Sequence, residues 1–336
     1  MAAHEFRLVV IGESLVDIIN DPRQPEAIQA HPGGSPLNVA VGAARLGLRT
    51  TLVTHYSDDL HGRVIDEHLQ ANRVQVINGG TAPTSTALAE LGPDGAADYT
   101  FAITWELEGT APDAFAAVDG SAHVHTGSIA AALPPGSRAT LDLVQAARAH
   151  ATVSYDPNCR PGISPDAALA REQAEAFVAA SDVVKASDED LRWLYPDRSP
   201  KETLEAWLAL GPAVVALTRG AAGPVILSRN GQVEMAAESI TVADTVGAGD
   251  SFMAGLLSGL AQFGALGAGG RTRLNSLTRD ELHALAAYAN RAAAITCSRQ
   301  GANPPRKDEL GPMSAGLTTG NEAPARRRPA QLHHRG

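Results

Sequence analysis

The feature that most constrains this chain is its alternation of short β-branched runs with longer stretches of helical periodicity. Strand-like runs recur at 8–11, 51–54, 74–77, 123–125, 152–155, 182–185, 214–217 and 225–227. Between them, apolar residues spaced for one face of a helix predict helices over 36–46, 60–71, 138–150, 166–179, 200–210, 248–263 and 279–296. Strands that alternate with helices in this way build βαβ units and a largely parallel sheet. Ligands of such sheets sit at the carboxyl ends of the strands. Two stretches break the rhythm. Residues 15–28 and 84–104 read as β-rich, and the second contains a Gly92-Pro93-Asp94-Gly95 turn between apolar runs, a hairpin signal. They are expected to combine into a small separate sheet over the site; two surface excursions are the alternative.

At 336 residues, 44% of them apolar, the chain suits one large α/β core or two modest domains. No apolar run approaches the ~18 residues of a membrane span. Phe6-Arg7-Leu8-Val9-Val10-Ile11 begins a strand with no signal-peptide pattern before it, and Cys159 and Cys297 lack disulfide or metal spacing. These features suggest a cytoplasmic protein. A net charge of −10 argues against a nucleic-acid partner, whose phosphates it would repel. After Pro312 the sequence loses periodicity, so 312–336 is expected to be a disordered tail, with Arg326-Arg327-Arg328 a solvated charge run.

Asp244-Thr245-Val246-Gly247-Ala248-Gly249-Asp250-Ser251-Phe252 is a Gly-rich turn opening directly into an apolar helix. A helix start of this kind points free N–H groups and the positive end of the dipole outward, which suits phosphate. Asp250 on the first turn has a plain reading as an acid at a helix start. Beside a bound phosphate, though, a carboxylate is repulsive unless it has a chemical task, such as taking a proton from an attacking hydroxyl. The stretch resembles the C-terminal signature of the ribokinase-like sugar kinases, the PfkB family. It is not a Walker A loop, because no Gly-Lys-Ser/Thr follows. The resemblance implies a ribokinase-like three-layer α/β/α fold with a mostly parallel central sheet and a small β lid. The kinase domain would cover 1–311, with the lid drawn from about 15–32 and 84–108. It also implies Asp250 as catalytic base and the Gly247, Ala248 and Gly249 backbone as an anion hole. ATP and Mg²⁺ would be required, K⁺ could bind with Asp244 contributing, and the lid could double as a homodimer surface.

Gly33-Gly34-Ser35-Pro36-Leu37-Asn38 is a helix start in which Ser35 can cap and Pro36 fits the first turn. Asn38 reads either as a cap amide or as a binder of hydroxyls, since an amide donates and accepts at once. The segment is similar to the family's N-terminal signature, which implies Gly33, Gly34 and Asn38 at the sugar. Asp17 follows the first strand and matches the family's sugar-binding acid, while Glu13 is read as structural. Asp156-Pro157-Asn158-Cys159-Arg160 resembles the Asp-Pro-Asn-x-Arg element of fructokinases and ketodeoxygluconate kinases, and places Arg160 between sugar and phosphates.

At the other end, Leu217-Thr218-Arg219-Gly220-Ala221-Ala222-Gly223 reads as a hairpin turn, but resembles the family's loop over the ATP phosphates, implying Thr218, Gly220 and Gly223. Asn290 matches a position that encloses adenine. Ser187-Asp188-Glu189-Asp190 is a good capping stretch, and matches a motif linked to magnesium, with Asp190 where Glu is usual. His123 and His125 share a strand face and are read as packed residues rather than metal ligands. The motif set resembles fructokinases most, then 2-keto-3-deoxygluconate kinases, then ribokinases or nucleoside kinases. A binding protein that has lost catalysis is the non-enzyme alternative. Thr104-Trp105-Glu106-Leu107-Glu108 is read as placing acids near the substrate, which would favour a neutral sugar.

Overall fold

A parallel sheet with each face under a helical layer organises the chain. The computed structural model describes residues 6–20, 29–91, 97–107 and 109–313. The Gly92–Gly95 turn, Glu108 and nearly all of the expected tail, including Arg326–Arg328, lie outside the described residues. The strands are β1 (Arg7–Ile11), β2 (Leu15–Asn20), β3 (Gln29–Gly33), β4 (Arg49–Thr54), β5 (Gln75–Asn78), β6 (Ser85–Leu91), β7 (Ala97–Ala102), β8 (His123–Gly127), β9 (Thr152–Asp156), β10 (Val183–Ser187), β11 (Val214–Thr218), β12 (Val225–Ser228) and β13 (Gly231–Glu234). Nine of them form one sheet in the order β13-β12-β11-β10-β9-β8-β1-β4-β5. Pairing is parallel from β5 to β11, and the edge hairpin β12–β13 is antiparallel.

Burial on both faces explains the near-continuous apolar character of these strands. Leu8 and Val10 join one core with Leu37, Val39, Leu256, Leu257, Leu282 and Leu285. Val9 and Ile11, pointing the other way, join a second core with Leu143, Val144, Phe177, Val178 and Trp207. The first core packs under helices Ser35–Arg45, Ala248–Gln262 and Arg279–Cys297; the second packs under Gly136–Ala147, Ala167–Ala179 and Pro200–Leu210.

The remaining strands form a four-stranded sheet, β3-β2-β6-β7, in which β2 and β6 run parallel and both outer pairs are antiparallel. The two β-rich stretches therefore do combine. β3 and β13 escape a reading based on apolar alternation: Gln-Ala-His-Pro-Gly and Gly-Gln-Val-Glu carry little of it. Sheet pairing alone, Leu15 to Gly33 and Val225 to Glu234, makes them strands. Helix Ala111–Asp119 and the short helix Gly270–Asn275 were likewise not expected. Ser35 is not the cap of its helix. Gly34, at φ 107°, holds the cap position, and the Ser35 hydroxyl is used elsewhere.

Candidate active site

Both sheets point their ends at one cleft of about 1110 Å³. β1 ends at Ile11 and turns through Gly12-Glu13-Ser14 into β2; β3 ends at Gly33 and leads into helix Ser35–Arg45. Asp17, Gly34, Asn38 and Arg160 line one end of the cleft, and Thr218, Gly220, Gly223 and Asn290 line the other. Gly247, Ala248, Gly249 and Asp250 lie between them, at the start of the 15-residue helix Ala248–Gln262. Gly33 and Asp244 support this wall without lining it: a Cβ on Gly33 would run into the Asp17 carboxylate.

Asp250 joins two distant parts of the chain. The Ser35 hydroxyl donates to its Oδ1 at 2.6 Å, and Asn38 Nδ2 donates to its Oδ2 at 2.9 Å. The N-terminal turns of two helices thus meet on one carboxylate, 8% exposed at the cleft. Gly247 caps the Asp250 helix in the left-handed region, φ 73°, with no side-chain cap. The N–H groups of Gly247 and Gly249 find no acceptor among the described residues, whereas that of Ala248 is given to the Thr245 carbonyl at 3.2 Å. In this state the cradle offers two of the three expected donors. Asp244 fixes the approach to it: Oδ1 accepts from Val246 N at 3.0 Å and Oδ2 from Gly301 N at 2.9 Å. The hydrogen bond from Val246, then that from Gly301, overcomes slight burial and holds the Asp244 carboxyl below its usual range.

The acids at the Asp17 end of the cleft are largely shielded from solvent. Burial raises Asp17, with His31 and Arg160 partly offsetting it. Burial likewise pushes Glu13 up to about 7, against hydrogen bonds from its own backbone, Ser128 and Ala130. Glu13 Oε2 accepts from Ala130 N at 3.0 Å, while Oε1 has no partner among the described residues. Arg160 folds over its own loop, donating to Asn158 Oδ1 at 2.8 Å and to the Cys159 carbonyl at 3.0 Å. Glu106 does not line the cleft. Its carboxylate accepts from Thr81 N and Ala82 N, and Trp105 is a core residue, so residues 104–107 support the 81–82 loop instead.

At the other end of the cleft, Gly220–Ala222 forms a single 3₁₀ turn, pinned by Arg219 to the Gly223 carbonyl at 2.9 Å and to Glu234 at 2.8 Å. Thr218 ends β11 beside it. Asn290 Nδ2 donates to the Ala236 carbonyl at 3.0 Å, tying its helix to the cleft wall. Asp190 completes a capping box with Ser187 and also accepts from Cys159 N at 2.7 Å, so both of its oxygens hold protein groups. Glu189, beside it, stands exposed on the cleft wall.

His123 and His125 hydrogen-bond to hydroxyls. His123 contacts Thr152 Oγ1 and Ser154 Oγ, each at 2.8 Å, and His125 contacts Ser154 Oγ at 2.9 Å. No group of three or more His, Cys, Asp or Glu placed to hold a metal occurs among the described residues. Two cleft groups were not picked out from the sequence. Glu13 was read as structural. Lys185, inside strand β10, passed unremarked; a lysine within an otherwise apolar parallel strand was the available signal.

Residues 5–309 match the family profile described as pfkB family carbohydrate kinase. The chain belongs to this family. A fructokinase of Klebsiella pneumoniae is 30% identical over 319 residues, which cover 90% of this chain and 98% of that one. The crystal structure of a Xylella fastidiosa fructokinase with bound ATP superposes with a TM-score of 0.80 at 23% identity, covering 91% of this chain and 97% of that chain. A Vibrio cholerae fructokinase, solved in a fructose, ADP and calcium ion bound form, is 25% identical with a TM-score of 0.72, covering 91% and 96%. The architecture of this carbohydrate kinase is the ribokinase-like α/β fold, a large mostly parallel sheet with a second small one. None of its described helices is long and apolar enough to cross a membrane.

Proposed function

We propose that this carbohydrate kinase transfers the γ-phosphoryl group of ATP to a primary hydroxyl of a neutral ketose, D-fructose before others. The observation that carries the reading is the position of Asp250, held by Ser35 and Asn38 from the sugar side and standing on the first turn of the helix whose start forms the anion cradle. A substrate hydroxyl placed against Asp250 can give up its proton there as its oxygen attacks phosphorus. The N–H groups of Gly247 and Gly249, and that of Ala248 once released from Thr245, then face the charge that develops on the transferred group. Asp17 and Asn38 accept and donate to the sugar's other hydroxyls, with Gly33 and Gly34 allowing the close approach.

The residues present suit a magnesium nucleotide: the exposed Glu189 carboxylate and the capped Asp190 flank the path from the Gly220–Ala222 turn to the cradle. Mg²⁺ there would neutralise phosphate charge. K⁺ beside Asp244 belongs to the same reading, and a requirement for KCl would report it. Glu13 and Asp17, both acids in a dry wall, favour a neutral sugar. Arg160 is the feature that favours the second reading, a keto-acid sugar such as 2-keto-3-deoxygluconate, because a guanidinium suits a carboxylate. Coupled ADP release across fructose, ketodeoxygluconate, ribose, adenosine and fructose phosphates tests the proposal. The highest kcat/KM is expected on fructose; a higher value on ketodeoxygluconate would favour the second reading, and no turnover on any of them would end the first.

A further inference from the structure

A polar row crosses the buried sheet face beneath the catalytic helix. Thr152, Ser154 and Asp156 alternate along β9, His123 and His125 along β8, and Lys185 stands on β10; each is 3% exposed or less. The row leads to the cleft at Lys185. Its Nζ donates to Asp156 Oδ2 at 2.7 Å, and no other hydrogen-bond acceptor for it occurs among the described residues. An ammonium carries three donors, so the pairing leaves capacity to spare. Nζ also lies 2.9 Å from the point a Cβ on Gly249 would occupy, directly behind the cradle. Among the described residues Lys185 is the only buried lysine or arginine. Burial works against its charge, but Asp156 first, then Asp190 and Asp250, outweigh that and hold Lys185 above its ordinary value.

A structural account of this pair is weak. Buried ion pairs stabilise a fold no better than well-packed apolar residues, and the register partner of Lys185 on β11 is Ala216. The second oxygen of Asp156 is buried with no partner among the described residues, a poor arrangement for stability. The pair's placement under the cradle, however, is useful. We propose that Lys185, locked to Asp156 beside Gly249, is a positioning residue for phosphoryl transfer: its fixed positive charge favours anionic charge in the cradle. This rests on the reading of that helix start as the site of phosphoryl transfer.

The test compares full-length Lys185→Met, Lys185→Arg, the double variant Asp156→Asn/Lys185→Met and Asp250→Asn. Steady-state ADP release is measured from pH 5.5 to 9 with fructose and MgATP, alongside thermal melting. Lys185→Met is expected to lower kcat by about 100-fold, the scale of one lost oxyanion contact, with KM for both substrates within about threefold. Lys185→Arg should regain about tenfold of the rate, because it restores the charge. The double variant, which leaves no unpaired buried charge, should melt near wild type and remain slow. Turnover within threefold of wild type in Lys185→Met or in the double variant overturns the assignment. So does a slow Lys185→Met whose rate Lys185→Arg does not partly restore, since that describes a merely structural lysine. The two layers separate cleanly. Inactive Asp250→Asn beside active Lys185→Met removes only the lysine's role, whereas wild-type turnover in Asp250→Asn removes the base, and with it the reading of that helix start on which this inference rests.

Discussion

Replacing Asp250 with Asn separates chemistry from architecture, because the surroundings of this carboxylate tolerate an amide. Ser35 Oγ now donates to Oδ1, and Asn38 Nδ2 to Oδ2. An Asn at 250 can accept from Asn38 through its oxygen and donate to Ser35 through its nitrogen, since a hydroxyl also accepts. Two charge-assisted bonds at about 1.5–3 kcal/mol become two neutral ones at about 0.5–1.5 kcal/mol, and part of that loss returns as relief from burying a charge. The net cost to stability is therefore about 1–2 kcal/mol, a few degrees in melting temperature. Removing the proton acceptor costs far more in rate: a general base contributes ~10²–10⁴-fold, or about 3–5 kcal/mol of barrier. The variant is expected to bind MgATP and fructose within about threefold of wild type by calorimetric titration. Its kcat, by coupled ADP release, should be 10²–10⁴-fold lower, on the same general-base estimate. A kcat within tenfold of wild type would refute the role. So would loss of sugar binding at unchanged kcat, which would make Asp250 a binding group.

Two further expectations follow from the same geometry. Glu13 is raised from 4.5 to about 7 by burial, so the folded state keeps a proton that the unfolded chain releases. Its contribution to stability is complete below about pH 4.5 and is lost as pH rises to about 7, at about 1.4 kcal/mol per unit. Glu13→Gln should flatten that part of the urea-melt stability profile; an unchanged slope would show that Glu13 ionises normally. Gly247→Ala forces a side chain into φ 73°, with its Cβ 2.7 Å from that of Ala302. The left-handed conformation alone costs about 1–2 kcal/mol. Gly264→Ala, at φ 65° with open space around it, carries only that cost. A melting-temperature loss no larger at 247 than at 264 would disprove the close contact.

The sheet was legible because its strands are buried on both sides. A run such as Leu8-Val9-Val10-Ile11 must be apolar throughout, and that pattern has few competing explanations. β3 and β13 were illegible for the opposite reason. Their residues record little burial, and only a partner strand's exposed ladder makes them extended. In the site, residues carried by local signals, the Gly-rich turn and the Gly-Gly helix start, were found in the sequence. Glu13 carries no local signal, and Lys185 only the oddity of a lysine in an apolar strand. Their significance lies in an unpartnered oxygen and in a contact behind Gly249, both products of tertiary packing.

The same division bears on why two glycine-rich helix starts, some 215 positions apart, belong to one site. Each alone is an ordinary helix N-terminus. What unites them is that Ser35 and Asn38 spend their donors on Asp250 in this state. Asn38 Nδ2 carries two protons, so it can hold the carboxylate with one and give the other to a sugar hydroxyl. Each carboxylate oxygen accepts more than one hydrogen bond, so a hydroxyl that comes to Asp250 need not displace either donor. On this argument Ser35 and Asn38 fix the orientation of the base from the side of the incoming hydroxyl and leave it a lone pair for that hydroxyl's proton, which is why the two helix starts act as one site.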